Sequence, residues 1–425
     1  MAIELSNLTF TEQDDIVPAF GEEEIINTGL ANTLAGNDRI TGTGGDYGFK
    51  NVGTLNTDEG NDTITGLVIP GDPDFFYLTS SIVNSGILNM AEGNDIITST
   101  SSAYAGIINS GTLMAGDGND TITGSGYIDG LHNYGTLNTE EDNDIITGTG
   151  HTRGLNNYGT LNTGAGNDII TAITTIQYIY ESSLYNSGSI DTSDGNDIIT
   201  GSGNSIGIFN NNVGIINTGN GEDSITCHGE LINYGGVFLG DGNDFISVNT
   251  SYELPYFDIF TNFNFIETGD GNDIITSNGI IHNDSIIETG NGDDSIIVDI
   301  DGTDIRYGIY NNGGAINMGD GNDSIIANDG FESAPNSSGA YFLGEGEDYI
   351  KGYGSGDFYG GNGFDTLELT PGTYTVGIWG EGWDRSPIFT KDNQLMITSE
   401  FERLIAGDQT YDFTSLTAGQ IITVA

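Results

Sequence analysis

Residues 157–170 read NYGTLNTGAGNDII, and close variants of this phrase recur along the chain. The aspartate of its Gly-Asn-Asp portion aligns at fourteen positions, which are spaced 17 to 33 residues apart. A repeat of this length is typical of one coil of a solenoid. The length of 425 residues therefore reflects the number of coils and not the number of separate domains. These column aspartates, as we call them, are Asp38, Asp62, Asp95, Asp120, Asp144, Asp168, Asp197, Asp223, Asp244, Asp273, Asp294, Asp323, Asp348 and Asp365.

Apolar residues stand at fixed distances from the column aspartates. Two residues after the aspartate, thirteen copies carry Ile and the last carries Leu367; seven residues before it stands another apolar residue, such as Leu161. Side chains alternate along a strand, so both positions face a core. Short β-branched runs broken by Gly and Asn, with only 7 prolines and no helical periodicity, predict an all-β, right-handed parallel β-helix of about 14 coils with ~26 residues each.

An asparagine series accompanies the aspartates. Eleven residues before each of the first twelve column aspartates stands an amide and never an acid. Inward amides can donate to one neighbouring coil and accept from the other, which predicts an uncharged hydrogen-bonded ladder. The series is Asn27, Asn51, Asn84, Asn109, Asn133, Asn157, Asn186, Asn212, Asn233, Asn262, Asn283 and Asn312.

The charge of the chain limits its partners. Lys plus Arg total 8 against 62 Asp plus Glu, a formal net charge of -54. Nucleic acid and anionic lipid demand the opposite sign, so neither is expected as a partner, whereas cations are. The single cysteine, Cys227, excludes an internal disulfide framework, and no apolar run approaches the length needed for membrane insertion.

The loops before the column aspartates have the composition of a cation site. Nine of the fourteen match G-x-G-x-D, and glycine permits the positive φ that turns backbone carbonyls toward one point. Carbonyl and carboxylate oxygens, without nitrogen or sulfur ligands, favour Ca²⁺ over Mg²⁺. The candidate ligands are the column aspartates and the glycines four residues before them: Gly116, Gly164, Gly219, Gly240, Gly269, Gly290, Gly319 and Gly344.

A second acid recurs three residues before the aspartate in nine loops, and it is a ligand candidate of second rank. These outer acids, as we call them, are Glu59, Glu92, Asp117, Glu141, Asp194, Asp241, Asp270, Asp320 and Glu345. Fourteen stacked carboxylates need cations or protons to remain buried. The alternative is an Asx-type turn without metal; the uniform choice of Asp over Asn favours calcium.

The segments GDGNDIIT and GNGDDSIIV resemble the G-G-x-G-x-D-x-U-x nonapeptide of secreted RTX calcium-binding proteins, with U a large apolar residue. The resemblance implies calcium-dependent folding, with neighbouring turns sharing ions. RTX rolls repeat every nine residues, whereas this chain carries one motif per coil, so we expect one column of Ca²⁺ between coils. The segment FERLIAGDQTYDF and the ending QIITVA are similar to RTX C-terminal flanks, which implies a bacterial, extracellular or cell-surface protein exported by type I secretion.

The expected organisation is an N-terminal cap over residues 1–26, the solenoid over 27–367 and a C-terminal β cap over 368–425, where the motif stops. Three residues after the column aspartate, nine of the first ten coils carry Thr, and the ninth coil carries Ser247. This outward stripe is a solvated strand face, a docking surface for another chain, or an ice-binding array.

An enzyme is not expected. β-Helical lyases and epimerases need a basic group beside a carboxylate, whereas the basic residues here are scattered: Arg39, Lys50, Arg153, Arg306, Lys351, Arg385, Lys391, Arg403, His132, His151, His228 and His282. The sequence therefore predicts a secreted calcium-binding structural or adhesive protein of a surface or matrix, which binds itself or surface components. The alternatives are a polysaccharide-acting enzyme and a monomeric calcium-binding module.

Overall fold

The structure is a computed structural model that describes residues 2–18, 23–68, 79–175, 181–250, 258–300, 307–334, 338–380 and 386–425. The basic residues Arg306 and Arg385 lie outside these ranges. The chain forms two compact units, Met1–Gly229 and Glu230–Ala425, each described by itself below. The described residues contain no α-helix, and none of their helical segments is long and apolar enough to cross a bilayer.

Three strands recur in each coil of the first unit. The Asp strand follows the column aspartate, the Asn strand ends at the ladder asparagine, and the short strand carries the apolar residue before the next aspartate. In chain order the unit contains β1 (Ile3–Glu4), a 3₁₀ turn (Leu5–Asn7), β2 (Ile16–Val17), β3 (Ile25–Asn27), β4 (Leu30–Asn32), β5 (Arg39–Gly44), β6 (Phe49–Asn51), β7 (Thr54–Asn56), β8 (Thr63–Val68), β9 (Ile82–Asn84), β10 (Ile87–Asn89), β11 (Ile96–Ser101), β12 (Ala105–Asn109), β13 (Thr112–Met114), β14 (Thr121–Ser125), β15 (Asp129–Asn133), β16 (Thr136–Asn138), β17 (Ile145–Gly150), β18 (Arg153–Asn157), β19 (Thr160–Asn162), β20 (Ile169–Thr174), β21 (Ser182–Asn186), β22 (Ser189–Asp191), β23 (Ile198–Asn210) and β24 (Ile215–Asn217). Strand β25 (Ser224–Asn233) begins in the first unit and ends in the second.

The second unit continues the same scheme and ends differently. Its strands are β26 (Gly236–Phe238), β27 (Phe245–Asn249), β28 (Asp258–Asn262), β29 (Phe265–Asp270), β30 (Ile274–Ser277), β31 (Ile280–Asn283), β32 (Ile286–Asn291), β33 (Ser295–Val298), β34 (Ile309–Asn311), β35 (Ala315–Asn317), β36 (Ser324–Ala327), β37 (Phe331–Glu332), β38 (Ala340–Gly346), β39 (Tyr349–Lys351), β40 (Gly356–Gly363), β41 (Thr366–Leu369), β42 (Gly372–Trp379), β43 (Ser386–Lys391), β44 (Gln394–Ser399), β45 (Arg403–Ala406), β46 (Gln409–Asp412) and β47 (Ile421–Val424), with a 3₁₀ turn at Phe413–Ser415.

Strands of successive coils pair in parallel and in strict register. Ile146 of β17 lies opposite Ile122 of β14 and Ile170 of β20, and the short strand β19 pairs with β16 through Leu161 and Leu137. The all-β parallel solenoid predicted from the sequence is confirmed. Near the C-terminus the pairing becomes antiparallel, between β42 and β43, β43 and β44, β42 and β47, and β45 and β46.

The core consists of stacked apolar side chains from the two predicted positions. The Ile or Leu two residues after every column aspartate is buried, and so is the residue seven before it, from Ala31 to Phe358. Within each unit, strand register places these side chains opposite their equivalents in the neighbouring coils. Truncating one buried Leu or Ile to Ala costs about 2–5 kcal/mol, so each coil depends on its neighbours for stability.

The asparagine ladder exists, with two corrections. Within each unit, Nδ2 of one ladder asparagine donates to Oδ1 of the next at 2.8–3.1 Å. The prediction of Asn212 and Asn312 was wrong, because Asn186 bonds Asn210 and Asn283 bonds Asn311. In these two coils the turn after the Asn strand is longer, so counting back a constant eleven residues from the aspartate stops short of the ladder residue, while strand pairing fixes the true register.

Candidate metal centre

The column aspartates form one hydrogen-bonded stack in each unit. Their side chains are 0–2% exposed. The backbone N–H of each donates to Oδ1 of the aspartate in the next coil, at 2.6–3.0 Å. One carboxylate oxygen per coil is therefore committed to holding the backbone of its neighbour.

At twelve of these aspartates the other carboxylate oxygen makes no hydrogen bond of good geometry. A threonine hydroxyl five residues earlier nevertheless acts to lower the pKa at seven of them: Asp38, Asp62, Asp144, Asp168, Asp197, Asp273 and Asp294. Among the described residues, a buried Oδ2 without a hydrogen bond occurs at Asp38, Asp62, Asp95, Asp120, Asp144, Asp168, Asp197, Asp273, Asp294, Asp323, Asp348 and Asp365. Buried polar atoms in folded proteins are nearly always paired, and a buried ionised carboxylate without a partner is costly. A regular series of such atoms, one per coil, calls for protons or cations.

Burial shifts the ionisation of these carboxyl groups. Desolvation raises the pKa of Asp95, Asp120 and Asp144 to about 8, and the carboxylate of a neighbouring coil adds to the shift. It raises the pKa of Asp197 and Asp323 to about 7. The same cause raises the pKa to about 6 at Asp62, Asp168, Asp294, Asp348 and Asp365.

The turn before each aspartate has a fixed backbone shape that does not depend on glycine alone. Residues four and two before the aspartate have positive φ in all fourteen copies, including Leu34 at 67°, Glu140 at 68° and Asp142 at 84°. A Cβ on Gly164 would lie 1.4 Å from the carbonyl oxygen of Glu140 in the preceding coil. Carbonyl groups of these turns therefore stack along the same edge of the solenoid as the carboxylates.

The outer acids do not join the column aspartates. All nine are exposed, whereas the column aspartates are buried, so the two sets lie on opposite sides of the turn. Between the two sets lie exposed asparagines, which are linked from coil to coil by hydrogen bonds from a backbone N–H to a side-chain oxygen. For example, the N–H of Asn61 donates to Oδ1 of Asn37 at 2.8 Å. Within the described residues no group of three or more His, Cys, Asp or Glu side chains could hold a metal ion. A cation at the column would need backbone carbonyls to complete its coordination.

Two further residues extend the column, and the sequence analysis missed both. The N–H of Asp15 donates to Oδ1 of Asp38 at 2.7 Å, and Val17, two residues later, is buried beside Ile40. At the other end, the N–H of Asp365 donates to Oε2 of Glu402 at 2.7 Å. Neither residue follows Gly-Asn, so neither matches the repeated motif. Each is, however, an acid with a buried apolar residue two positions later, Val17 and Leu404, and this pattern could have identified them.

These features define a parallel β-solenoid with a buried carboxylate column along one edge. No family model and no curated protein matches the chain. A similar solved structure is described as a hyperactive, Ca²⁺-dependent, β-helical antifreeze protein from an Antarctic bacterium; it is 24% identical over 75% of this chain and 84% of that chain, with a TM-score of 0.47. Similarity of this degree assigns the chain to no family and no activity.

Proposed function

We propose that the protein is an extracellular β-solenoid that binds Ca²⁺ along its aspartate column and serves as a structural or adhesive component of a cell surface or matrix. The observation that carries the proposal is the series of buried Oδ2 atoms without partners, repeated coil after coil. Calcium bridging two coils supplies the missing partner and neutralises the repulsion between stacked carboxylates.

The donor set favours Ca²⁺ over Mg²⁺. The column offers carboxylate oxygens and stacked turn carbonyls, without His or Cys side chains, and Ca²⁺ accepts irregular coordination by six to eight oxygens. Each ion bound only by the folded state stabilises it by about 2.7 kcal/mol at a hundredfold excess over its dissociation constant. Several sites together would make folding depend on calcium.

Thermal unfolding followed by far-UV circular dichroism tests the calcium proposal. With CaCl₂ in excess we expect a melting temperature at least about 10 °C above that in EGTA, because several linked sites are filled. Asp144→Asn should lower the calcium stoichiometry measured by titration calorimetry, since it removes a column carboxylate.

The matched control is Glu141→Gln, which neutralises an exposed acid of the same turn. It should leave stoichiometry and melting temperature near those of the native chain. Identical melting in calcium and in EGTA would remove the calcium proposal, and equal losses in the two variants would make the outer acid a ligand as well.

A second candidate function is ice binding, which one flat face of the first unit favours. Threonines lie directly opposite one another on seven neighbouring strands, β5 to β23: Thr41, Thr65, Thr98, Thr123, Thr147, Thr171 and Thr200. The residues two before and two after these threonines include no Asp or Glu, although the whole chain has 62. Arg39, two residues before Thr41, is the one charged residue among these positions. A regular array of hydroxyl and methyl groups can hold ordered water. Thermal hysteresis in calcium is the measurement that tests this candidate.

A further inference from the structure

A histidine of the second unit is held between two carboxylates. Nδ1 of His282 lies 2.7 Å from Oδ2 of Asp258, and Nε2 of the same imidazole lies 2.8 Å from Oδ1 of Asp284. His282 belongs to β31, Asp258 belongs to β28 of the preceding coil, and Asp284 follows β31 directly. The imidazole therefore joins two coils through both of its nitrogen atoms.

These two contacts define the charge of the imidazole. A neutral imidazole carries a single N–H, so one of its nitrogens would turn a lone pair toward a carboxylate oxygen. An imidazolium donates from both nitrogens and makes two charge-assisted hydrogen bonds. With both carboxylates ionised, the geometry at His282 fits the doubly protonated, positively charged form.

The next coil completes the surroundings of the imidazole. Nδ2 of Asn312 donates to the same Oδ1 of Asp284 at 3.0 Å and so fixes that carboxylate. The Tyr310 ring, opposite His282 on β34, meets the imidazole edge-on with centroids 4.9 Å apart. The His282 side chain is 17% exposed, against 38% for Asp258 and 28% for Asp284. The two contacts are thus partly shielded from water, which strengthens them.

The titratable groups around His282 favour its positive charge. They are Asp258 on β28, Asp284 after β31 and Tyr310 on β34, with Glu230 of β25 acting on Asp258 and Glu332 of β37 acting on Tyr310. Burial lowers the pKa of His282, but the hydrogen bonds to the two carboxylates and their charges outweigh burial. The pKa of His282 therefore lies above its ordinary value of 6.5.

We propose that Asp258, His282 and Asp284 form a pH-sensitive lock between coils of the second unit, closed while the imidazole is charged and opened by its deprotonation. Because the pKa of His282 is higher in the folded chain than in the unfolded chain, the lock contributes fully below about pH 6.5 and is lost as pH rises through the folded pKa. Acid displaces calcium from carboxylates. The lock would therefore hold these coils together under conditions that empty a calcium column, and it does not itself require calcium.

The first unit shows what distinguishes this histidine. His132, like His282, stands directly before a ladder asparagine. Its Nδ1 lies 3.1 Å from Oδ2 of Asp129, but its Nε2 lies 3.3 Å from the amide nitrogen of Asn156. A neutral imidazole can satisfy one carboxylate and one amide. The second carboxylate is therefore the feature that makes His282 a lock.

NMR of the full chain labelled with ¹⁵N-histidine, in excess CaCl₂, tests the protonation. The signals of His282 are those that disappear in His282→Gln, and we expect them to titrate with a midpoint above about 6.5. Asp258→Asn and Asp284→Asn should each lower the midpoint, because each removes one anionic acceptor. The matched control is Glu288→Gln, which neutralises a half-buried acid on the next strand, β32, and should leave the midpoint unchanged.

Hydrogen exchange of residues 280–298, followed by mass spectrometry in excess CaCl₂, tests the lock itself. At pH 6, His282→Gln should increase the opening of this segment about tenfold or more, because two charge-assisted hydrogen bonds are lost. At pH 9 the variant should open within about twofold of the native chain, which has then lost the same proton. The proposal is overturned if His282 titrates at or below its ordinary value, or if the variant changes the opening by the same factor at both pH values, as a merely structural residue would.

Discussion

Each column aspartate uses its two carboxylate oxygens differently. Oδ1 accepts the N–H of the preceding coil, as in Asp120 to Asp144 at 2.8 Å, while Oδ2 of both residues lacks a partner. Asparagine at this position could accept the same N–H through its Oδ1. Its Nδ2 would, however, replace Oδ2 by a buried, uncharged donor that cannot bind a cation. The requirement for Asp over Asn therefore comes from the second oxygen.

The ionisation of the column predicts that the stability of the calcium-free protein falls as pH rises, while the stabilisation by calcium grows. In the chelated protein, burial raises the pKa of Asp95, Asp120 and Asp144 to about 8 from 3.8. The folded chain then holds protons that the unfolded chain has released, so its stability falls as pH rises from about 4 to 8. Calcium requires the ionised form, so its stabilising effect grows over the same range.

Melting temperatures measured from pH 5 to pH 8.5 check this prediction. In EGTA the melting temperature should decrease with pH, and the difference between calcium and EGTA should widen. Curves that stay parallel would mean that calcium does not displace protons from the column.

At the scale of the turn, stacking between coils leaves no space for a Cβ at Gly118. Gly118 has φ of 136°, and a Cβ there would lie 1.8 Å from the carbonyl oxygen of Gly93. Gly118→Ala should therefore destabilise the calcium-loaded protein by about 3 kcal/mol or more, through strain and displaced backbone. Denaturant unfolding measures the change.

Asp117→Ala is the control for this turn, because the preceding side chain is exposed. Its effect should stay within about 0.5 kcal/mol, as for most surface substitutions. A Gly118 variant as stable as the native chain would show that the turns can separate, and that the close carbonyl stacking is not needed.

The features that recur in every repeat could be predicted from the sequence alone. The buried apolar positions, the strand order and the burial of the column aspartates follow from fixed spacing and strand alternation. Asn210 and Asn311 were missed because turn length varies while strand pairing does not. Asp15 and Glu402 were missed because hydrogen bonding at the ends accepts an acid without the preceding Gly-Asn.

At the scale of the whole molecule, contacts between coils bring together residues that no local sequence pattern connects. His132 and Asn156 are 24 residues apart and belong to no shared motif, yet strand register brings them together. The basic residues looked scattered because sequence distance hides this register.

The acid-free threonine face is likewise formed by many coils together, so ice binding would be a property of the whole solenoid. Native protein in CaCl₂ should show thermal hysteresis by nanolitre osmometry if the face binds ice. Thr123→Lys combined with Thr147→Lys should abolish it, because long charged side chains prevent flat contact. Glu141→Lys, at the turn edge, should not. Native protein without hysteresis would remove this candidate.

The one-directional bonding of the aspartate column affects how such a protein can change its length. Within each unit the N–H of a column aspartate donates to the aspartate of the following coil; Asp15 donates to Asp38 at the start of the first unit, and Glu402 accepts from Asp365 in the second. Duplication or deletion of one whole coil in the gene would therefore reproduce the same bonds at the new junction. Length can then vary by unequal recombination while both terminal segments stay unchanged, and the number of ions bound would change with it.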